Sequence, residues 1–291
     1  MFRLAVFTDE ITQDFKLAVD VAVEYELDGI EIRSVWNNPP QAIPPDHVAK
    51  MKDILKGTGL KVCSIASPFF KCDIDSEEEY RQHLDILRKC IHLGREFDCR
   101  MIRGFTFWRK GRYEEHKQRI LDKFEEPIKI LKREGATLGI ENEAATMIGT
   151  AKVLVPFLKE LNSPYVRATW DPCNSCTDDQ VEEVPYPDGY ELIKPHMVHV
   201  HVKDWGTDPQ TGKLGCVPVG TGVIDYEGQF RALIRDGYKG YASLETHWRP
   251  KALSTEEVNR PGGAKFSESG EYASRICLEN IIKILKKIGA R

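Results

Sequence analysis

Eight short apolar runs, each followed by a stretch with helical periodicity, begin near Leu4, Gly29, Leu60, Arg100, Ala136, Tyr165, His196 and Gly240. Their mean spacing of about 34 residues is the length of one strand-plus-helix unit. Parallel strands joined by helices are covered on both faces, and eight is the number at which such a sheet closes on itself. The predicted fold is therefore α/β, a (β/α)8 TIM barrel. A doubly wound open sheet is the alternative, but it usually carries a glycine-rich phosphate loop after its first strand, and here that position reads TDEITQDF, without a glycine. No Ser/Gly-rich or Pro-rich linker divides the 291 residues, so the whole chain, 1–291, is expected to be a single domain.

The helical stretches carry their own signals. Phe15, Ala18, Val19, Ala22 and Val23 fall on one apolar stripe. Ser76 followed by Glu79 reads as a capping box for a helix with Tyr80, Leu84, Leu87 and Ile91 on its buried face. Ile120, Phe124, Ile128 and Leu131 form a fourth stripe, with Pro127 as a kink or break, and the last helix carries Ile276, Ile281, Ile282 and Leu285. Two long connections, Gly206 to Val223 and Trp248 to Glu271, follow the seventh and eighth runs and read as lids or binding loops.

Composition narrows the function classes. A net charge of -4 with no basic run speaks against a nucleic-acid partner. MFRLAVFTDE places an acid where a secretory core would continue, and no stretch reaches the roughly 20 apolar residues of a membrane span, so a cytoplasmic protein without a membrane partner is expected. Eight cysteines in a chain this long do not make a disulfide framework. Cys63, Cys90, Cys99 and Cys277 sit in apolar contexts, and the Cys173–Cys176 CxxC lacks the second pair a zinc site needs.

Four strand-like runs end in acids or histidines: LGIENE (138–143), ATWDP (168–172), MVHVHVKDW (197–205) and SLETHW (243–248). Successive strand residues point to opposite faces, so Glu141 shares a face with Glu143, His201 with His199 and Lys203, and Glu245 with His247. Such groups are costly to bury unpaired, and a divalent cation neutralises several at once. In a (β/α)8 barrel the chemistry sits at the C-terminal strand ends, where all four runs finish. Lys203 reads either as a substrate contact or as a salt bridge to Asp204 or Glu245. His247 reads as a site residue or a solvated strand end, and His199 as pocket or core. Glu31 and Arg33, closing the second run in GIEIR, read as a structural charge pair, with a substrate role for Glu31 as the alternative. Trp36, Phe70, Phe105, Phe107, Trp108 and Trp205 are placed where aromatic rims exclude water.

HVHVKDW, followed by VPVGTGVIDYEG and GYASLETHW, resembles the H-x-H-x-K-D, P-x-G-x-G-x-I-D-Y and S-x-E-x-H segments of xylose-isomerase-like TIM barrels of the sugar phosphate isomerase/epimerase type. The likeness runs from FTDE through SLETHW. That family includes ketose 3-epimerases, hydroxypyruvate isomerase, inosose dehydratase and isomerase, and an AP-endonuclease branch. The resemblance implies metal ligands at Glu141, Asp171, His201 and Glu245. It also implies that Asn174, in a turn similar to the family's D-P-x-N, faces substrate, with Lys203, His199 and His247 as further substrate-binding candidates. Glu143 departs from the histidine many relatives carry two residues after the first ligand.

Three carboxylates and one imidazole suit one divalent ion, Mn²⁺ first, with Mg²⁺, Co²⁺ or Zn²⁺ also acceptable. The expected activity is metal-dependent isomerisation or epimerisation of a keto-sugar or related polyol. As the resemblance implies, Glu141 and Glu245 move the α-proton through a metal-stabilised enediolate. The expected partner is a small carbohydrate, and a homo-oligomer is left open. A lyase or dehydratase on the same scaffold uses the same proton abstraction. An AP-endonuclease-like nuclease needs extra histidines at earlier strand ends, whereas His47, His83, His92 and His116 fall in helical stretches. A non-catalytic sugar-binding barrel would have no need of all four ligand candidates.

Overall fold

The computed structural model describes residues 1–208 and 212–291. Its barrel strands are β1 (Arg3–Phe7), β2 (Gly29–Ile32), β3 (Lys61–Ala66), β4 (Met101–Gly104), β5 (Thr137–Glu141), β6 (Val166–Trp170) and β7 (Met197–Val202). A hairpin of β8 (Asp204–Thr207) and β9 (Leu214–Val217) follows, and β10 (Tyr241–Leu244) completes the barrel. The eight close in the order β1-β10-β7-β6-β5-β4-β3-β2, and helices alternate with them. Each strand is a near-continuous run of buried residues, as expected of parallel strands covered on both faces. Among the described residues no helix is long and apolar enough to cross a membrane.

Two compact units make up the chain, one of residues 1–39, 43–63 and 200–291, the other of residues 40–42 and 64–199. In the first, β1 pairs in parallel with β10 (Ala5 opposite Ser243) and with β2 (Phe7 opposite Glu31). Helix Phe15–Glu24 starts where the Asp14 carboxylate accepts the Lys16 and Leu17 N–H groups. Its buried face is Phe15, Ala18, Val19, Val21 and Ala22, while Val23 is exposed. The helix packs against both the Thr8–Ile11 and Pro45–Leu55 helices, which turns the buried stripe toward Val21. The last helix, Gly270–Lys287, buries Ala273, Cys277, Leu278, Ile281 and Leu285, whereas Ile276 and Ile282 are only half-buried.

In the second unit β4, β5 and β6 pair in parallel, with Gly104 opposite Ile140 and Glu141 opposite Thr169. Ser76 caps helix Glu77–Glu96 by accepting the Glu79 N–H, but the Glu79 carboxylate reaches past Ser76 to the Asp73 N–H at 2.8 Å. The predicted fourth helix divides at Phe124 into Tyr113–Lys123 and Glu125–Glu134. Pro127 lies in the first turn of the second piece, where its missing N–H costs no helical bond.

Both long connections contain secondary structure that sequence reasoning missed. The first holds the β8–β9 hairpin, and its residues 209–211 lie outside the described residues. The second holds helices Thr255–Asn259 and Gly263–Phe266. The first of these opens on a Ser254–Glu257 capping box.

The loop after β3 depends on a neutral imidazole. Phe70 adopts a left-handed backbone with φ of 65° and stacks on Phe69 and Phe107, their ring centroids 3.9 and 4.2 Å away. Its buried N–H donates to His83 Nδ1 at 2.8 Å, which requires that nitrogen to be unprotonated. Burial pushes the His83 imidazole down to about 4, against a usual value near 6.5. Between those values the unfolded chain binds a proton that the folded chain resists, so this contribution to stability is lost as pH falls from about 6.5 to about 4. The urea midpoint is expected to fall between pH 7 and pH 5 in the native protein, and by less in His83→Gln. An unchanged pH dependence in the variant removes His83 as the cause.

Candidate functional site

In the first unit the charged groups form one buried network. Helix Thr8–Ile11 carries Asp9 and Glu10, β2 carries Glu31 and leads into Arg33, and β7 carries His201 and leads into Lys203. β10 leads into Glu245, His247 and Arg249. None of these nine residues is more than 5% exposed, and Asp9, Glu10, Glu31 and His201 are fully enclosed. Arg33 donates from Nη1 to Glu245 Oε1 (2.7 Å), from Nη2 to Glu10 Oε1 (2.8 Å) and from Nε to Asp9 Oδ2 (3.0 Å). Lys203 Nζ donates to the other Glu245 oxygen, Oε2, at 2.8 Å. Glu10 is met a second time by Arg249 Nη2 at 3.0 Å and by His247, whose Nδ1 lies 2.9 Å from Oε1 and whose N–H donates to Oε2 at 3.1 Å. His201 faces Glu31 Oε2 across 3.5 Å from Nε2 and Glu245 Oε2 across 3.9 Å from Nδ1.

The electrostatics follow from these contacts. Burial works against ionised Glu245, yet Lys203, His247, His201 and Arg33 hold its carboxyl well below the usual range. Glu10 is likewise lowered against its burial by His247, Arg249 and Arg33. His247 is raised, because Glu245 and Glu10 outweigh the burial that disfavours its charged form.

The second unit presents its carboxylates differently. Glu141 ends β5 at 2% exposure, with Asn174 Nδ2 donating to Oε1 at 3.0 Å and Arg103 Nε 3.3 Å from Oε2. Asp171 follows β6 and caps the short helix Pro172–Thr177, its Oδ1 accepting the Asn174 N–H at 3.0 Å. Asn142 fixes that turn from both sides, accepting the Asp171 N–H at 2.9 Å and donating to its carbonyl at 2.8 Å. Glu143 pairs with Lys71 at 3.2 Å. The Lys71 and Arg103 cations lie 4.3 and 4.4 Å from the Phe105 ring centre. His199 is 1% exposed. Cys173 and Cys176 are free thiols, and no disulfide links the described cysteines.

Each sequence-derived candidate is thus buried, and Asn174 leans on Glu141, Lys203 on Glu245 and His247 on Glu10. Lys203 makes the salt bridge to Glu245, while Asp204 turns to the backbone. Sequence reasoning did not single out Glu10, Arg103, Asn142, Arg249 or Lys71, and saw Arg33 only as a strand-end charge. For Arg103 and Arg33 the signal was a charged residue inside or directly after an apolar run, as in MIRGF and GIEIRS.

This barrel with acids and imidazoles at its strand ends belongs to the xylose isomerase-like TIM barrel family, whose model matches residues 19–269. Among its relatives is the L-ribulose-5-phosphate 3-epimerase UlaE of Escherichia coli O157:H7, 28% identical over 193 residues, a match that spans 65% of this chain and 65% of that protein. The fold is shared with the probable 3-DHS dehydratase AsbF of Bacillus anthracis at a TM-score of 0.74, with 17% identity and coverage of 98% and 99% of the two chains. It is also shared with a D-allulose 3-epimerase from Methylomonas sp. at a TM-score of 0.71, with 17% identity and 98% coverage of each chain.

The segment after β7 hangs on one carboxylate. Asp204 accepts the N–H groups of Trp205 and Ile224 on Oδ1 (2.9 and 3.2 Å) and those of Gly220 and Gly222 on Oδ2 (2.8 and 3.0 Å). Gly222 approaches so closely that a Cβ there would collide with the Asp204 carboxylate and the Trp205 carbonyl. Asp204→Ala strands four backbone donors and is expected to cost about 3 kcal/mol or more in urea unfolding. It should also open the 206–223 segment to limited proteolysis. A loss under about 0.5 kcal/mol means the segment is held by other contacts.

Proposed function

We propose that the chain, acting as one domain over 1–291, is a divalent-metal-dependent isomerase or epimerase of a keto-sugar or related polyol. The observation that carries this reading is that Glu141 and Asp171, at strand ends of one unit, and His201 and Glu245, at strand ends of the other, are each buried at 3% exposure or less and together make the donor set of one divalent ion. Three carboxylates and an imidazole make an oxygen-rich donor set that fits Mn²⁺ best, with Mg²⁺, Co²⁺ and Zn²⁺ also fitting. Likeness to the ribulose-phosphate epimerase supports a carbohydrate substrate.

A bound divalent cation would supply the Lewis acid that stabilises the negative charge left on substrate oxygens when a proton leaves the carbon beside the carbonyl. The proton itself is handled by this chain's glutamates. Glu141 and Glu245 take it and return it, each held in place by hydrogen bonds to both oxygens or to one oxygen and a close cation. Asn174, Lys203, His199 and His247 line the substrate side, where N–H donors and imidazoles orient hydroxyl groups. Return to the opposite face inverts the centre, return to the neighbouring carbon isomerises, and loss of a β-hydroxyl dehydrates. The working location proposed is the cytoplasm.

Incubation with Mn²⁺ and a panel of ketoses in D₂O, followed by NMR, should show solvent deuterium at carbons next to the carbonyl. Glu245→Gln and Glu141→Gln should each slow that exchange about 10²- to 10⁴-fold. Undiminished exchange in either variant removes that glutamate from the mechanism. Dialysis against a chelator should abolish turnover and added Mn²⁺ restore it; full activity of protein shown to be metal-free by elemental analysis would end the metal-dependent reading.

A further inference from the structure

We infer that Arg33 is a positioning residue that locks one oxygen of Glu245, so that the carboxylate offers only Oε2 to the cation. This rests on the reading above that Glu245 is a metal ligand. The Arg33 guanidinium meets three carboxylates at once, those of Glu245, Glu10 and Asp9, at 2.7, 2.8 and 3.0 Å. Its carbon also lies 4.6 Å from the Phe7 ring centre and 4.8 Å from that of Phe266. A planar fork engaged on three edges and flanked by two rings has no room to swing. Glu245 Oε1 is therefore turned into a fixed cationic platform, while Oε2 faces His201 Nδ1.

Lys203 holds Oε2 with an ammonium on a flexible four-carbon stem, which can share that oxygen or shift along it when a cation arrives. Arg33 cannot shift without abandoning Asp9 and Glu10. The third arm of Arg33 is also more than the acids beneath it need. Glu10 keeps Arg249 and His247 as partners, and Asp9 keeps the Ser34 hydroxyl at 3.2 Å. What the arm to Glu245 adds is direction: one oxygen outward, at a set angle, from a side chain that would otherwise rotate.

Titration of metal-free protein with Mn²⁺ by calorimetry provides the first test. Arg33→Lys keeps the charge but not the fork, and is expected to bind Mn²⁺ about 10- to 100-fold more weakly, with kcat reduced and KM little changed. Arg33→Ala is expected to regain part of both losses when guanidinium is added. Wild-type affinity and kcat in Arg33→Lys overturn the assignment. Should the variants fail to fold, the Mn²⁺-loaded native protein decides by crystallography: one Glu245 oxygen on the metal and Oε1 still on Arg33 is expected, and both oxygens on the metal overturns it. Native protein that binds no divalent cation would instead sink the metal-dependent function together with this inference.

Discussion

Charge compensation in a dry interior is the constraint around which this structure is arranged. Asp9, Glu10 and Glu245 are all at most 3% exposed, in surroundings where an uncompensated carboxylate would cost several kcal/mol. Arg33, Arg249 and Lys203 answer them, and each cation is itself buried. Partners of this kind are mutually dependent, because removing one strands the charge it neutralised. That dependence explains why an arginine follows a strand as apolar as β2, and why Glu245 stays ionised although its burial argues against it. It also explains the αL backbone of His247, at φ 45°, which is held by two contacts to Glu10.

The two glutamates to which the proton transfers are assigned sit in unlike surroundings. Glu245 has a cation on each oxygen, whereas Glu141 has a neutral amide on one and an arginine at 3.3 Å from the other. Two carboxylates in different fields are suited to different parts of a proton transfer. The supporting layer differs as well. Glu245 is aimed by a rigid guanidinium, while Asp171 and Asn174 are aimed by a helix cap and by Asn142, which pins the turn by its backbone. Arg33 and Asn142 both lie outside the residues proposed to touch a ligand, as precise placement of ligands requires.

Family membership and activity are separate matters on this scaffold. A barrel supports many chemistries because specificity is written in the connections at its catalytic face. Here those connections carry a β8–β9 hairpin anchored through Asp204 and two short helices between Ser254 and Ser267, one of which brings Phe266 against Arg33. A loop that packs on the platform under Glu245 ties the scaffold's variable part to its chemistry. The aromatic wall after β3 and β4, with Phe105 between Lys71 and Arg103, does the same beside Glu141.

What could be read from the residues alone was whatever local rules decide. The eight strands, the alternation with helices and the Ser76 cap follow from periodicity and turn chemistry, which depend on near neighbours. The strand-end acids stood out because charge inside an apolar run is expensive wherever it occurs. Closure of the barrel decided the rest. Arg33 meets Glu245 across 212 positions of sequence, and no pattern within either segment encodes that pairing. At shorter range the neighbouring elements decide: the Phe70 N–H finds His83, Glu79 passes its own cap for Asp73, and Val21 rather than Val23 is buried where the helix packs against two others. A side chain's partner is set by which elements the fold brings beside it, and its own neighbours in the chain determine only which way it starts.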